Sequence, residues 1–215
     1  IGTATYVASF DISSEDIKPN AIAFSKSGEK MFIVGNTGGA DTPGGCTETT
    51  CVYEYTLTVA WDVSTASFVD AFSISSQDDD AHAVVFSKSG EKMYIVGNTG
   101  GADMQPGCTE TACVYEYTLT VAWDISTASF VDALEVNSVA ITAPVGIAFS
   151  KSGEKMFIVG NVGDEVNEYT LTVAWDVSTA SFVDSFSVRS QETGPRGMWF
   201  DSTGNTMFIV GTTSG

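Results

Sequence analysis

The segment FSKSGEKMFIVGN keeps returning along this chain. It begins at Phe24, recurs with one change at Phe86 and unchanged at Phe149, and appears in a diverged form, FDSTGNTMFIVGT, at Phe200. A second block, YTLTVAWDVSTASFVD, begins at Tyr55, Tyr117 (with Ile125 in place of Val) and Tyr169. Successive starts of the first block are 62, 63 and 51 residues apart, so the basic unit is about 51 residues and two copies carry an insertion. Self-similarity at such a period points to solenoids, propellers or arrays.

Within each unit, four short stretches read as strands. AIAFS and MFIVG flank KSGEK, whose Ser-Gly pair supplies the positive φ that a tight hairpin needs. VYEYTL alternates, and its β-branched and aromatic residues suit a pleated, half-buried surface. ASFVDAFSI alternates similarly, with Phe68, Asp70 and Phe72 expected opposite Val69 and Ala71. No stretch carries a capped helical period. The unit is therefore a four-stranded antiparallel sheet, with strands A to D.

Four-stranded units of this size in tandem are the signature of a β-propeller blade. FSKSGEKMFIVGN resembles the FSPDGKKLYV hairpin of bacterial YVTN-type and related surface propellers, and the resemblance covers essentially all 215 residues. The Trp-Asp pairs at 61–62, 123–124 and 175–176 are similar to those of WD repeats, but the Gly-His partner of that family is missing. The resemblance implies an all-β propeller and no particular chemistry, because propellers host many unrelated functions.

The expected organisation is one repeat domain over 1–215, with units at 1–62, 63–124, 125–176 and an incomplete 177–215. IGTATYVASFDISSED at 1–16 aligns with VSTASFVDAFSISSQD at 63–78, so the first segment reads as a lone D strand. The last unit stops after strand B. Two explanations follow: a piece of a longer array, or a subunit whose missing strand a neighbouring chain supplies. Either leaves open edges that invite head-to-tail contact with copies of the chain.

With 43% hydrophobic residues the chain can bury a sizeable core. Nine basic residues against 27 acidic ones give a net charge of −18, which repels phosphate backbones and anionic headgroups. Nucleic acid is excluded as a partner class on this ground. No apolar run approaches the roughly 18 residues that span a bilayer, so membrane insertion is not expected.

Alternating strand directions put the A–B and C–D turns on one rim and the B–C and D–A loops on the other. The first rim is nearly invariant within the chain: SKSGEK and TVAWD[VI]STASF each appear three times. Differences gather on the second. There the B–C loop is long and cysteine-bearing in two units and short in the third, and the D–A loops read SSEDIKPN, SSQDDDAH, VNSVAITAP and RSQETGPR. At the start of each innermost strand stands a different residue, Asn20, His82, Val145 or Arg196, and these four are the candidate ligand-binding residues. In propellers this position opens toward the central channel.

Cys46 and Cys51 form C-x4-C, as do Cys108 and Cys113. Even numbers and local pairing favour two short disulfides, Cys46–Cys51 and Cys108–Cys113; a shared four-cysteine zinc site and free thiols are the rival readings. Asp78, Asp79 and Asp80, and also Asp164 and Glu165, are weak calcium candidates, read first as solvated acidic turns. No other cofactor is expected. His82 is the only histidine, with no nucleophile motif beside it, and no catalytic residue is assigned. Trp61, Trp123 and Trp175 read as packing anchors between blades, and Trp199 as a core or channel residue.

The leading functional reading is a non-enzymatic extracellular or cell- or virion-surface propeller for adhesion, recognition or assembly. Its partner would be a glycan, a protein or further copies of itself. The alternatives are a propeller enzyme (lyase, lactonase or glycan hydrolase) with a channel-mouth site, and a filament subunit.

Overall fold

Each repeat folds as its turn chemistry dictates. Gly28, Gly90, Gly153 and Gly204 sit at φ of 76°, 79°, 78° and 75° in the A–B turns, a region only glycine enters without strain. At Gly28 a second constraint coincides with the first. A Cβ there would collide with the Trp61 indole, which is folded over the turn from the C–D connection of the same unit.

The structure, a computed structural model, describes residues 4–36, 46, 50–98, 107–108, 112–136, 141 and 143–213. The first unit comprises β1 (Pro19–Phe24), β2 (Lys30–Gly35), β3 (Cys51–Leu57) and β4 (Ala66–Ser73), antiparallel in that spatial order. The second repeats this with β5 (Ala81–Phe86), β6 (Lys92–Gly97), β7 (Cys113–Leu119) and β8 (Ala128–Glu135). The third does so with β9 (Pro144–Phe149), β10 (Lys155–Gly160), β11 (Glu165–Leu171) and β12 (Ala180–Ser187). β13 (Pro195–Phe200) and β14 (Met207–Gly211) form a two-stranded sheet. Strand β1 packs against β5, β5 against β9, and β9 against β13. The A strands thus stand side by side around a common axis, and the sheets fan outward as the blades of a β-propeller.

Two local features depart from the sequence reading. Residues 4–11 form no strand, because a strand needs a laddered neighbour and no C strand lies beside them among the described residues. Only the end of the expected D segment docks: Phe10 meets Tyr55 edge-on at 5.6 Å, as Phe72 meets Tyr117 at 5.6 Å one blade on. The second departure is a β-bulge in every D strand. Glu54 pairs with Asp70 and Tyr55 with Phe68, so Val69 is an extra residue, 50% exposed, and the strict alternation breaks there. Ala71 is buried and Phe72 packs toward the next blade.

Apolar contact between blades is specific. The face of β2 that carries Phe32 and Val34 is fully buried against blade two, with the Phe32 ring 4.3 Å from Phe86 and stacked 6.2 Å from Trp123. Tyr94 repeats this against Phe149 at 4.5 Å and Trp175 at 6.4 Å. Trp123 and Trp175 are thus anchors between blades, whereas Trp61, at the open side of blade one, is 61% exposed.

A polar clasp fastens the same joints. Lys30 Nζ donates to Glu54 Oε1 (2.5 Å) and to the carbonyl of Trp123 in the next blade (2.7 Å). The other Glu54 oxygen, Oε2, accepts from the Ile125 N–H (3.0 Å). In blade two Lys92 donates to Glu116 Oε1 (2.5 Å) and to Trp175 O (2.8 Å), and Glu116 Oε2 accepts from Val177 N–H (2.9 Å). In blades one and two a Lys–Glu pair therefore grips the next blade's C–D turn by its backbone. The turn itself is preshaped: Asp124 and Asp176 cap its short 3-10 segment by accepting from the N–H two residues on.

Candidate functional site

The A strands carry their first residues to one end of the axis, the rim of the B–C and D–A loops. Asn20, His82, Val145 and Arg196 line one cleft there, of about 340 Å³, from four different blades. The rest of its lining is apolar, with Ala83, Ile147 and Met198 among it. A mostly apolar concavity with a few polar groups at its mouth is the usual form of a ligand site.

The four candidates differ in what they can offer. Arg196 is exposed and is the one lysine or arginine that lines the cleft among the described residues. Asn20 is exposed, and its amide donates to Ala81 O at 2.7 Å, bridging blades one and two. Val145 is buried in a cluster with Val159, Val166 and Val188, so it is a wall and not a polar contact. His82 Nε2 lies 2.7 Å from Asn98 Nδ2 and 3.4 Å from Asp80 Oδ2. Asp80 Oδ1 accepts from Asn36 Nδ2 at 2.6 Å, which links the mouth of blade two to blade one. Sequence reading named His82 but missed Asp80, Asn36 and Asn98 as its surroundings. The signal was present, since Asn36 and Asn98 are the same repeat position, directly after the strand-ending glycine.

Of the two roles expected for Trp199, core or channel, the structure shows the second. It is 62% exposed on the cleft edge and tilts against Phe208, with ring centres 5.7 Å apart.

The three aspartates do not converge. Asp78 is buried under Gly97, where a Cβ would meet its carboxylate. Its partners are the Asp80 N–H (2.7 Å) and the Tyr115 hydroxyl. Asp79 faces solvent and Asp80 turns to Asn36 and His82. Asp164 sits in a turn at φ 54°, and Glu165 begins β11. Among the described residues no group of three or more His, Cys, Asp or Glu is placed to hold a metal ion.

Disulfides join Cys46 to Cys51 and Cys108 to Cys113, with Cα atoms 6.0 Å apart in each. The remainder of each cysteine-bearing loop falls largely outside the described residues. What the bridges touch is informative. Cys46 Sγ lies 3.6 Å from the Tyr53 hydroxyl and Cys108 Sγ 3.4 Å from that of Tyr115, and each tyrosine also bonds the aspartate of its D–A turn, Asp16 or Asp78. In blade three all parts change together: Glu165 replaces the second cysteine, Asn167 the tyrosine and Ile141 the aspartate. Disulfide, tyrosine and aspartate are one packing unit that fixes the base of a long B–C loop to the adjacent D–A turn. Reducing and alkylating the bridges is expected to cost about 2 kcal/mol each through the freedom returned to the unfolded loops; urea unfolding with and without reductant measures it, and coincident curves would refute it.

No protein-family model and no curated relative matches the sequence. Solved structures do. The chain is similar to the periplasmic gluconolactonase of Pseudomonas aeruginosa, with a TM-score of 0.51 and 15% identity over 89% of this chain and 46% of that one. A putative 6-phosphogluconolactonase from Bacteroides fragilis gives 0.52 at 10% identity, over 93% and 51%. A β-propeller domain from Myceliophteria thermophila gives 0.52 at 11% identity, over 91% and 48%. The likeness establishes the β-propeller fold, and the chain spans about half the length of these structures. The two disulfides fit an oxidising, non-cytoplasmic setting. Among the described residues no helix is long and apolar enough to cross a membrane.

Proposed function

We propose that this chain is a non-enzymatic recognition propeller acting outside the cell or at a cell or virion surface, which holds a glycan or protein ligand at the loop-rich rim over the cleft mouth. One observation carries this reading. A scaffold whose A–B and C–D turns are nearly identical in three copies places Asn20, His82, Val145 and Arg196 at one equivalent position, and all four line one cleft. Loops on a rigid scaffold are where recognition resides.

The test is a glycan-array and surface-protein screen followed by titration of the best hit. His82→Ala and Arg196→Ala are each expected to weaken that binding by about tenfold or more, the worth of a hydrogen bond to a charged or well-placed group. Arg196 is exposed, so its variant should keep the thermal midpoint, and the His82 variant is compared at a temperature where it is fully folded, because His82 also contacts Asn98 and Asp80. Full binding in both variants would remove the cleft mouth as the site.

A second reading, a lactone-hydrolysing propeller, is favoured by His82 lying beside Asp80 at the mouth and by the likeness to a gluconolactonase and a putative 6-phosphogluconolactonase. Against it, Asn98 and Asp80 both address the same His82 nitrogen, leaving a general base poorly free to take a proton. Hydrolysis of gluconolactone above the uncatalysed rate, abolished in His82→Ala, would decide for this second reading.

A further inference from the structure

We infer that the groove between blades two and three, on the rim of the A–B and C–D turns, is a binding site for a neutral sugar ring, with a second copy between blades one and two. This rim lies opposite the cleft mouth, so the inference goes beyond the recognition proposed there. The groove holds about 370 Å³, and its walls come from two four-stranded sheets. Ser89, Glu91, Lys92 and Thr118 of blade two line it together with Ala174 and Trp175 in the C–D turn of blade three. At the joint of blades one and two the same six residue types stand at the same repeat positions, as Ser27, Glu29, Lys30, Thr56, Ala122 and Trp123.

The joint itself uses only part of this set. Lys92 Nζ gives two of its three N–H groups to Glu116 and the Trp175 carbonyl, while its side chain stays 28% exposed, so the third is left for a ligand. The Glu91 carboxylate is exposed and makes no hydrogen bond or ion pair among the described residues. The A–B turn does not need it. In the fourth unit Asn205 and Thr206 stand where Glu91 and Lys92 do, and the turn closes on Asp201, which accepts from both of their N–H groups. Trp175 is half-buried and held in place, since Gly153 lies against its indole and the Tyr94 ring stacks 6.4 Å from it. The groove thus combines a fixed indole, a free acceptor and a free donor. Each hydroxyl of a sugar both donates and accepts, so neighbouring hydroxyls can give to Glu91 and take from Lys92 while the carbon face of the ring lies against the indole. An anion would meet Glu91 in a chain of net charge −18, and a cation would meet the Lys92 N–H. A neutral, hydroxyl-rich ring meets neither obstacle.

Methyl glycosides of glucose, galactose, mannose and N-acetylglucosamine, and linear oligomers of each, are titrated into the chain by calorimetry, with glucuronate and choline as charged comparisons. Saturable binding of at least one neutral glycoside is expected, weakened about tenfold or more in Glu29→Gln/Glu91→Gln, as for loss of a hydrogen bond to a charged group. Ala122→Phe/Ala174→Phe, which fills both grooves, is expected to abolish it. All four positions are exposed, and the glutamine pair, which keeps the side-chain shape, decides the matter if the phenylalanine pair folds poorly. An oligomer that binds more tightly than its monomer supports the inference with a polymer as ligand, through the effective concentration of the second groove. Equal affinity supports it with the free sugar. No saturable binding of any neutral glycoside, tighter binding of glucuronate or choline, or full affinity in the glutamine pair would overturn it. Loss of the binding in His82→Ala and Arg196→Ala would also overturn it by moving the sugar to the cleft mouth, so the two sites fail separately.

Discussion

Glu116→Ala is expected to destabilise the protein by about 3–5 kcal/mol, the cost of breaking a buried ion pair from one side, while Glu168→Ala costs less than about 1 kcal/mol, as for an exposed pair. The two glutamates occupy the same place in the repeat and pair with equivalent lysines. Their surroundings differ. Glu116 is 1% exposed, and its loss strands the Lys92 ammonium on the Trp175 carbonyl and leaves the Val177 N–H buried without its acceptor. Glu168 touches Lys155 in partial contact with solvent and, among the described residues, grips no turn. Urea midpoints of the two variants against the unmodified chain measure the difference. Equal losses would show that the Lys–Glu pair stabilises its own sheet and does not join the blades.

The repeat made the fold legible before any coordinates. Turn glycines, four alternating stretches and a fixed order left one arrangement open, and the blades follow it with strand bounds within a few residues. What was hidden depends on register. The clasp is written three times as a lysine opening strand B and a glutamate inside strand C, but only pairing shows that both face the next blade. Invariance among the copies pointed to it, although the copies' likeness also admits plain duplication. Val69 defeats the alternation because a bulge inserts one residue opposite the Glu54–Tyr55 step. No local pattern announces that. The N-terminal segment misled for the opposite reason: its sequence is that of a D strand, but hydrogen-bond pairing is a property of two strands. The cleft residues were legible because topology fixes where a strand begins. The partners of His82 come from a neighbouring strand and a turn, and so were not.

Blade two also carries a pH response. Asp78 is fully buried, and burial foremost, with the nearby charges of Asp80 and Asp79, pushes its carboxyl up to about 8 against the lowering effect of the Asp80 N–H and the Tyr115 hydroxyl. In the unfolded chain the same group titrates near about 4. A carboxyl whose folded pKa is raised contributes stability that is complete below the unfolded value and declines as pH rises toward the folded one. From Asp78 alone, the chain is therefore expected to lose stability between about pH 4 and about pH 8, at roughly 1.4 kcal/mol per unit, and to level off above. Asp78→Asn keeps the shape and the acceptor for the Asp80 N–H without the ionisation. Its unfolding free energy is expected to exceed that of the unmodified chain at about pH 9 by several kcal/mol, with the gap closing or reversing near about pH 4. Blade three shows that the repeat tolerates such a change, since Ile141 fills the equivalent space above Gly160. Chemical denaturation of both proteins across this range isolates the one group, because every other titration is shared. Parallel profiles would mean that Asp78 ionises in place, with water or a cation reaching a carboxylate that the packing encloses.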